Sequence, residues 1–423
     1  MNYPRLLVLS NNSFSKSNSN GRTLGSLLKG WPKDKIAQFC ISSDGPDFDV
    51  CENYYCVTDA DVLRSFRHLT PAKRRKPCDN VSATEDIRNV GGIKKTTITM
   101  FARNILWSLG IWKGREFDEW MSDFTPEVIL LQNGDSFFMH RLALKMSQRT
   151  GAKLAIFNTE GYYFFSHDFY GNDNKLNRLV FPVYMWMYRR IFSKFMRLSS
   201  ANIYCNEALK TDYDKVFPNK NSIVCYTGSE IPFSPSEQLQ EPPLFVYLGN
   251  LGIKRPEALA EFSQVLRQVR PDCHIDVYGN LPVDYNGIFE RTSGIEYHGL
   301  VSYGKVKEII ATSDFIIHVE KDDPILINEL RYAFSTKIAD SICSGRNFIV
   351  YAPKTLACSR YIYETGAAWL ASTKDELHNL LVNILSSADE RIRVIERARK
   401  IASENHNSLT NSKKCQQLLC GIM

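Results

Sequence analysis

Short apolar runs, each closed by a polar loop and followed by a helical pattern, recur along the whole chain. That alternation restricts the fold more than any other feature, because it spells βαβ units and a parallel sheet. The first series reads "PRLLVLS" (4–10), "KIAQFCIS" (35–42), "NYYCVT" (53–58), "EVILLQN" (127–133) and "AKLAIFN" (152–158). The second reads "PLFVYLG" (243–249), "HIDVYG" (274–279), "IEYHG" (295–299), "DFIIHVE" (314–320), "NFIVYAP" (347–353) and "AAWLAS" (367–372). Between them lies "SEIPFSPSEQLQEPP" (229–243), rich in Pro and Ser and poor in large apolar residues, which reads as a linker. At 423 residues the chain exceeds what one core supports, so two domains are expected. The boundaries predicted are 1–228, a linker at 229–243, a second domain at 244–405 and a helical tail at 406–423. In such sheets ligands bind beyond the carboxyl ends of strands, so residues just after each strand carry the functional question.

Charge is uneven. Residues 1–240 hold 31 Lys and Arg against 24 Asp and Glu, whereas the remainder holds 21 against 22. The basic half is the one expected to meet an anionic surface or acceptor. The 11 cysteines are scattered without a C-x-x-C, which supports neither a thiolate zinc site nor a disulfide framework and reads as reduced thiols in a cytoplasm. The amino terminus turns polar after four apolar residues, unlike a signal peptide, and no run reaches membrane-spanning length. "TPAKRRKP" (70–77) and "YRRIFSKFMR" (188–197) are basic; the second has apolar residues between its cations, as an interfacial helix has, or as a core helix with a solvated edge has. No nucleic-acid-binding motif accompanies the charge.

The stretch "AFSTKIADSICSGRNFIVYAP" (333–353) predicts a helix capped by Ser335 and stopped by Gly345, followed by a buried strand. Lys337 then stands in the first turn, where free N–H groups and the macrodipole are already positive. After "PLFVYLG" the same oddity recurs: Pro256 suits the first helical turn, so Lys254 and Arg255 sit at a helix start, with Gly249 and Gly252 allowing close backbone approach. Two cationic helix starts at strand ends suggest a diphosphate clamp. Ile338, Ala339, Ile342 and Cys343 fall on one side of the helix; Lys337, Asp340, Ser341 and Ser344 fall on the other. Asp340, one turn deeper than Lys337, is placed to accept from a ribose diol. The alternative is a solvated face with an i,i+3 Lys–Asp pair.

In this order and spacing, "YLGNLGIKRPEAL", "IEYHGLVSYGKVKEIIATSDFIIHVE" and "FSTKIADSICSGRNFIVYAP" resemble the donor domain of family-four glycosyltransferases of the GT-B fold, notably bacterial enzymes of surface-polysaccharide synthesis. The resemblance implies α/β architecture with two doubly wound Rossmann-like domains facing a central cleft, and transfer from a nucleotide-diphosphate sugar to a glycan or lipid-linked acceptor. It also implies retention, no metal and no cofactor beyond the sugar nucleotide. It maps diphosphate binding onto Lys254, Arg255 and Lys337, the loop before the helix onto Ser335 and Thr336, and the ribose contact onto Asp340. Base recognition maps onto His298, Gly299 and Leu300, with Gly249 and Gly279 lining the donor site. The first acidic residue of the resembled pattern falls at Tyr332, a departure for which Glu320 or Glu329 is a candidate substitute, each equally readable as a surface carboxylate. In the first half, Gly21 and Arg22 match a phosphate and acceptor loop, and Glu160 is the first candidate for an active-site acid, with Asp135 second. "DFD" (47–49) and "DAD" (59–61) read as loops or helix caps, and His140, His298 and His318 as structural. The expected site is a cytoplasmic one, with peripheral contact to an anionic membrane. The rivals are a nucleotide-sugar epimerase of the same fold and a non-catalytic sugar-nucleotide-binding subunit.

Overall fold

The computed structural model describes residues 2–16, 19–42, 45–75, 95–168, 170, 175–235 and 238–423. The chain divides into two compact units, Met1–Cys225 with Leu409–Met423, and Tyr226–Ser408. Each is built on one parallel sheet.

The first unit has seven strands: β1 (Leu6–Ser10), β2 (Ile36–Cys40), β3 (Asn53–Cys56), β4 (Val128–Gln132), β5 (Lys153–Asn158), β6 (Ser199–Tyr204) and β7 (Ser222–Val224). They lie in the order β3-β2-β1-β4-β5-β6-β7. Strand residues such as Leu7, Leu9, Ile129, Leu130, Ala155 and Ile156 are fully buried, as expected of a sheet covered on both faces. β6 and β7 carry no sequence signal of the kind that marks the others. The preceding helix runs through Leu198 and β6 starts at Ser199, so no loop separates them. The first helix spans Ser19–Leu27. The last helix, Ser408–Gly421, returns to this unit: Tyr3 Oη donates to Gln416 Oε1 (3.0 Å), and Gln416 Nε2 donates to the Lys29 carbonyl (2.7 Å).

The second unit has six strands: β8 (Phe245–Leu248), β9 (Ile275–Tyr278), β10 (Ile295–Gly299), β11 (Phe315–Val319), β12 (Asn347–Tyr351) and β13 (Trp369–Ala371), ordered β10-β9-β8-β11-β12-β13. Side chains alternate between two apolar layers. Phe245, Tyr247, Ile275, Val277, Phe315 and Ile317 face one, and Val246, Leu248, Ile316, Phe348 and Val350 face the other. The described part of 229–243 packs on this unit and does not behave as a free linker. Ser234 N donates to the Ser344 carbonyl (2.7 Å) and Leu244 N to Asp314 Oδ2 (2.8 Å). Through its backbone N–H, Ser234 satisfies a carbonyl that the end of the helix Thr336–Ser344 leaves open. Ser236 and Glu237, like Lys76 and Pro77 of the first basic stretch, lie outside the described residues.

Candidate functional site

In the second sheet the chain runs outward through β8, β9 and β10, then returns to lay β11 on the other side of β8. The β8–β11 boundary is therefore the topological switch point, where the loops after the two strands separate and leave a crevice. Every cation singled out in the second half belongs to a loop or helix start beside this point.

The loop after β8 is tightly specified. Gly249 N donates to the Tyr278 carbonyl (2.9 Å), and Gly279 N to the Gly299 carbonyl (2.8 Å), which locks the ends of β8, β9 and β10 together. A methyl group on Gly279 would lie 1.9 Å from the Gly249 carbonyl oxygen, so only glycine fits. Ile253 and Lys254 both adopt left-handed backbone (φ 60° and 56°), strained for side chains of this kind and for β-branched Ile253 in particular. This kink aims the start of the helix Arg255–Val269 at the switch point.

Arg255 and Lys254 part company there. Arg255 Nε and Nη2 form a bidentate, largely buried pair with Glu320, the first residue after β11 (3.0 and 2.6 Å). His318 Nε2 stands 3.3 Å from Glu320 Oε1. Burial pushes the Glu320 carboxyl up, but His318 and Arg255 together hold it below the ordinary glutamate value, so it is ionised. Glu320 is thus a buried counter-ion and no surface carboxylate. Lys254 instead reaches Asp323 (2.7 Å), the N-cap of the helix Pro324–Leu330, on the exposed rim.

Lys337 completes the group. Ser335 caps the helix Thr336–Ser344 by accepting from Lys337 N (3.3 Å), as its sequence predicts. The Lys337 ammonium folds back over β8: a methyl on Gly249 would sit 2.9 Å from its Nζ and 2.7 Å from Tyr247 Oη. Glycine at 249 therefore makes room for this side chain. Burial, and then the Arg255 charge, lower the Lys337 pKa to about 8, with Glu320 and Asp340 opposing the shift. Two cations thus converge beside Gly249. The carboxylate Glu320 neutralises one of them.

The solvated-face alternative is overturned. The helix Thr336–Ser344 has no solvated face, because Asp340, Ser341 and Ser344 are buried along with its apolar residues. Asp340, the residue expected to meet a ribose, accepts at Oδ1 from Ser229 Oγ (2.5 Å). Tyr332 is buried, its ring covered by the Arg331 guanidinium (5.0 Å). After β10, Gly299 has left-handed backbone (φ 76°) with open space on its Cβ side, and Leu300 is exposed. His298 is also exposed and stacks on Tyr278 (centroids 4.7 Å apart).

In the first unit, the switch point lies between β1 and β4. Gly21 is pressed against the β1 loop, where a methyl would come within 2.3 Å of the Ser13 carbonyl, and Arg22 follows in the same helix. Asp135 is held by Ser136 Oγ (2.9 Å) and Tyr170 Oη (3.1 Å). Glu160, two residues beyond β5, is different: among the described residues its carboxyl meets no hydrogen-bond or ion-pair partner, and burial pushes it up to about 7. Such a group holds a proton near neutrality. His140 is buried against Asn133 (3.0 Å) and burial lowers it to about 4, which makes it structural. Asp61 of "DAD" closes a capping box with Thr58, and Asp49 of "DFD" pairs with Lys16.

No family model matches this sequence, and no curated protein sequence matches it. Solved structures do. HepE from Anabaena, in a crystal structure with UDP-glucose, is similar over 99% of this chain and 100% of its own (TM-score 0.61, 13% identity). Sucrose-phosphate synthase from Thermosynechococcus elongatus is similar over 98% of each chain (TM-score 0.63, 11% identity), and α,α-trehalose 6-phosphate synthase from Burkholderia multivorans over 99% of each (TM-score 0.60, 12% identity). The chain has the GT-B fold of these enzymes, over essentially its full length.

Proposed function

We propose that this protein is a glycosyltransferase that takes a sugar from a nucleotide-diphosphate donor bound by the second unit. The observation that carries the reading is the Lys337 ammonium. It is half-buried at a helix start, stands beside a second cation and against Gly249, and among the described residues meets no anion of its own within hydrogen-bond distance. A diphosphate supplies what that position lacks, and the free N–H groups and dipole of the helix start favour the same ligand. As the sugar leaves, charge grows on the diphosphate. Lys337 and Arg255 stabilise it in a low-dielectric crevice, with Glu320 holding Arg255 in place. Side chains thus meet the leaving-group charge, and we assign transfer without a catalytic metal and, with the resembled family, retention at the transferred carbon. Gly299 and Leu300 are assigned to the base, Ser335 and Thr336 to phosphate oxygens.

The first unit is assigned the acceptor, a glycan or lipid-linked sugar, with Glu160 as proton carrier, since its raised pKa suits acid–base work near neutrality. UDP-glucose in the HepE structure and the galactosyltransferase activity named for WaaB, a lipopolysaccharide outer-core enzyme of similar fold, support a uridine donor and a surface-polysaccharide acceptor. Peripheral membrane contact is supported by the helix Lys175–Leu198. It exposes Leu176, Leu179, Val183 and Trp186 at helical spacing, with Arg190 over the Trp186 ring (5.5 Å). Among the described residues no helix is long and apolar enough to cross a membrane. The test is turnover of UDP-sugars against lipid-linked and free glycan acceptors, with and without EDTA. Acceptor-dependent release of UDP that EDTA leaves intact is expected; donor conversion without acceptor would instead mark an epimerase.

A further inference from the structure

At the edge of the second sheet, β9 and β10 present an unusual pairing. His274, immediately before β9, and Asp276 within it alternate onto the same face; on β10, Glu296 and His298 do likewise, and Glu296 lies directly opposite Asp276 in the ladder. Two carboxylates facing each other across parallel strands repel. Among the described residues, neither meets a lysine or arginine. What they meet is imidazole. Asp276 Oδ1 lies 3.4 Å from His274 Nε2 and 3.0 Å from His298 Nε2, and Glu296 Oε1 lies 3.9 Å from His274 Nε2. One donor atom each from His274, Asp276 and Glu296 falls within 4.8 Å of the others.

We propose that His274, Asp276 and Glu296 form a zinc site, with His298 beside Asp276 as an outer partner. Zinc bonds to nitrogen and oxygen of ~2.0–2.2 Å place tetrahedral neighbours roughly 3.3–3.5 Å apart, and His274 Nε2 lies 3.4 Å from Asp276 Oδ1 and 3.9 Å from Glu296 Oε1. The donor set, a borderline imidazole with two hard carboxylates, suits Zn²⁺ over Mg²⁺, which wants six oxygens. A dication removes the carboxylate repulsion that no cationic side chain relieves. Tyr278, stacked on His298, fixes that outer ring beside Asp276. None of Arg255, Glu320 or Lys337 belongs to this set. The ion would staple the edge strand β10 to β9. The pattern is visible in the sequence as H-x-D in "HIDVYG" and E-x-H in "IEYHG".

The test uses the full-length chain, stripped with EDTA and desalted, titrated with Zn²⁺ against a chromogenic chelator and assayed for retained metal. One zinc per chain is expected, unaffected by millimolar Mg²⁺. Affinity should fall at least about tenfold in His274→Ala and again in Glu296→Gln, the latter keeping the side-chain shape should the former not fold. Lys337→Ala should keep its zinc, whatever becomes of nucleotide binding, so this claim and the donor assignment stand or fall separately. Failure of the wild type to retain zinc, or equal affinity in wild type and both variants, overturns the site.

Discussion

Lys337 is a residue whose environment works against it. Its folded pKa of about 8 lies below the ordinary lysine value, because burial and Arg255 both disfavour the charged form. The sign follows from linkage: between about pH 8 and 10 the unfolded chain binds the extra proton, so stability of the free protein rises with pH there. Lys337→Met removes that slope and stabilises the free protein at pH 7 by on the order of 2 kcal/mol, while weakening diphosphate binding. Urea titrations at pH 7 and 9.5 check it; a variant less stable than wild type at pH 7 contradicts it. Binding itself should weaken above pH 8 as the ammonium is lost. Glu160 is the counterpart in the first unit. Glu160→Gln should lower acceptor-dependent transfer about 10²-fold or more and leave nucleotide affinity unchanged, measured as a kcat effect beside a binding titration. A loss of nucleotide binding would take Glu160 out of that role. These two oddities were legible in the sequence because both are local: a cation in a first helical turn, an acid just past a strand. Glu320's role was not, because its partner Arg255 comes from 65 residues earlier. Asp340's burial was hidden for the same reason, since Ser229 covers it from 111 residues away.

The elements that hold the site are strand ends and helix starts, and their tolerance is narrow. Gly279→Ala drives a methyl into the Gly249 carbonyl, so the ends of β8 and β9 must separate. A loss of about 1–3 kcal/mol is expected by chemical denaturation, as for other overpacked positions. The Arg255–Glu320 pair should behave as a buried ion pair does. Glu320→Ala strands the guanidinium and costs about 3–5 kcal/mol, whereas Arg255→Met with Glu320→Leu recovers most of that. Additive losses in the double variant would mean that the pair is not buried as described. At this scale all six strands of the second sheet were readable, as each is an apolar run bounded by turn residues. β6 was not, because its apolar residues follow a helix without punctuation and alternate with Ser and Asn.

Across the whole molecule, chain order and unit membership differ. The final helix, Ser408–Gly421, is a part of the first unit: its Gln416 bonds both Tyr3 and the Lys29 carbonyl, and the Asn411 carbonyl accepts from the Cys225 thiol (3.8 Å). Ending the chain at Ser408 should therefore destabilise the first unit and spare the second, seen as a lower first transition in calorimetry with nucleotide affinity retained. The sequence reads the tail from Lys374 onward as helical and able to pack across both halves. An amphipathic tail suits any exposed apolar face, so the return to the first unit is not specified by pattern alone.

The account rests on one diphosphate site at the β8–β11 switch point. Isothermal titration of UDP, UMP and UDP-glucose against wild type and Lys337→Ala tests it most directly. Binding of both diphosphates, at least about tenfold tighter than the monophosphate and lost in the variant, is the predicted result. Equal binding of UDP and UMP, or a variant that binds UDP as wild type does, would contradict it.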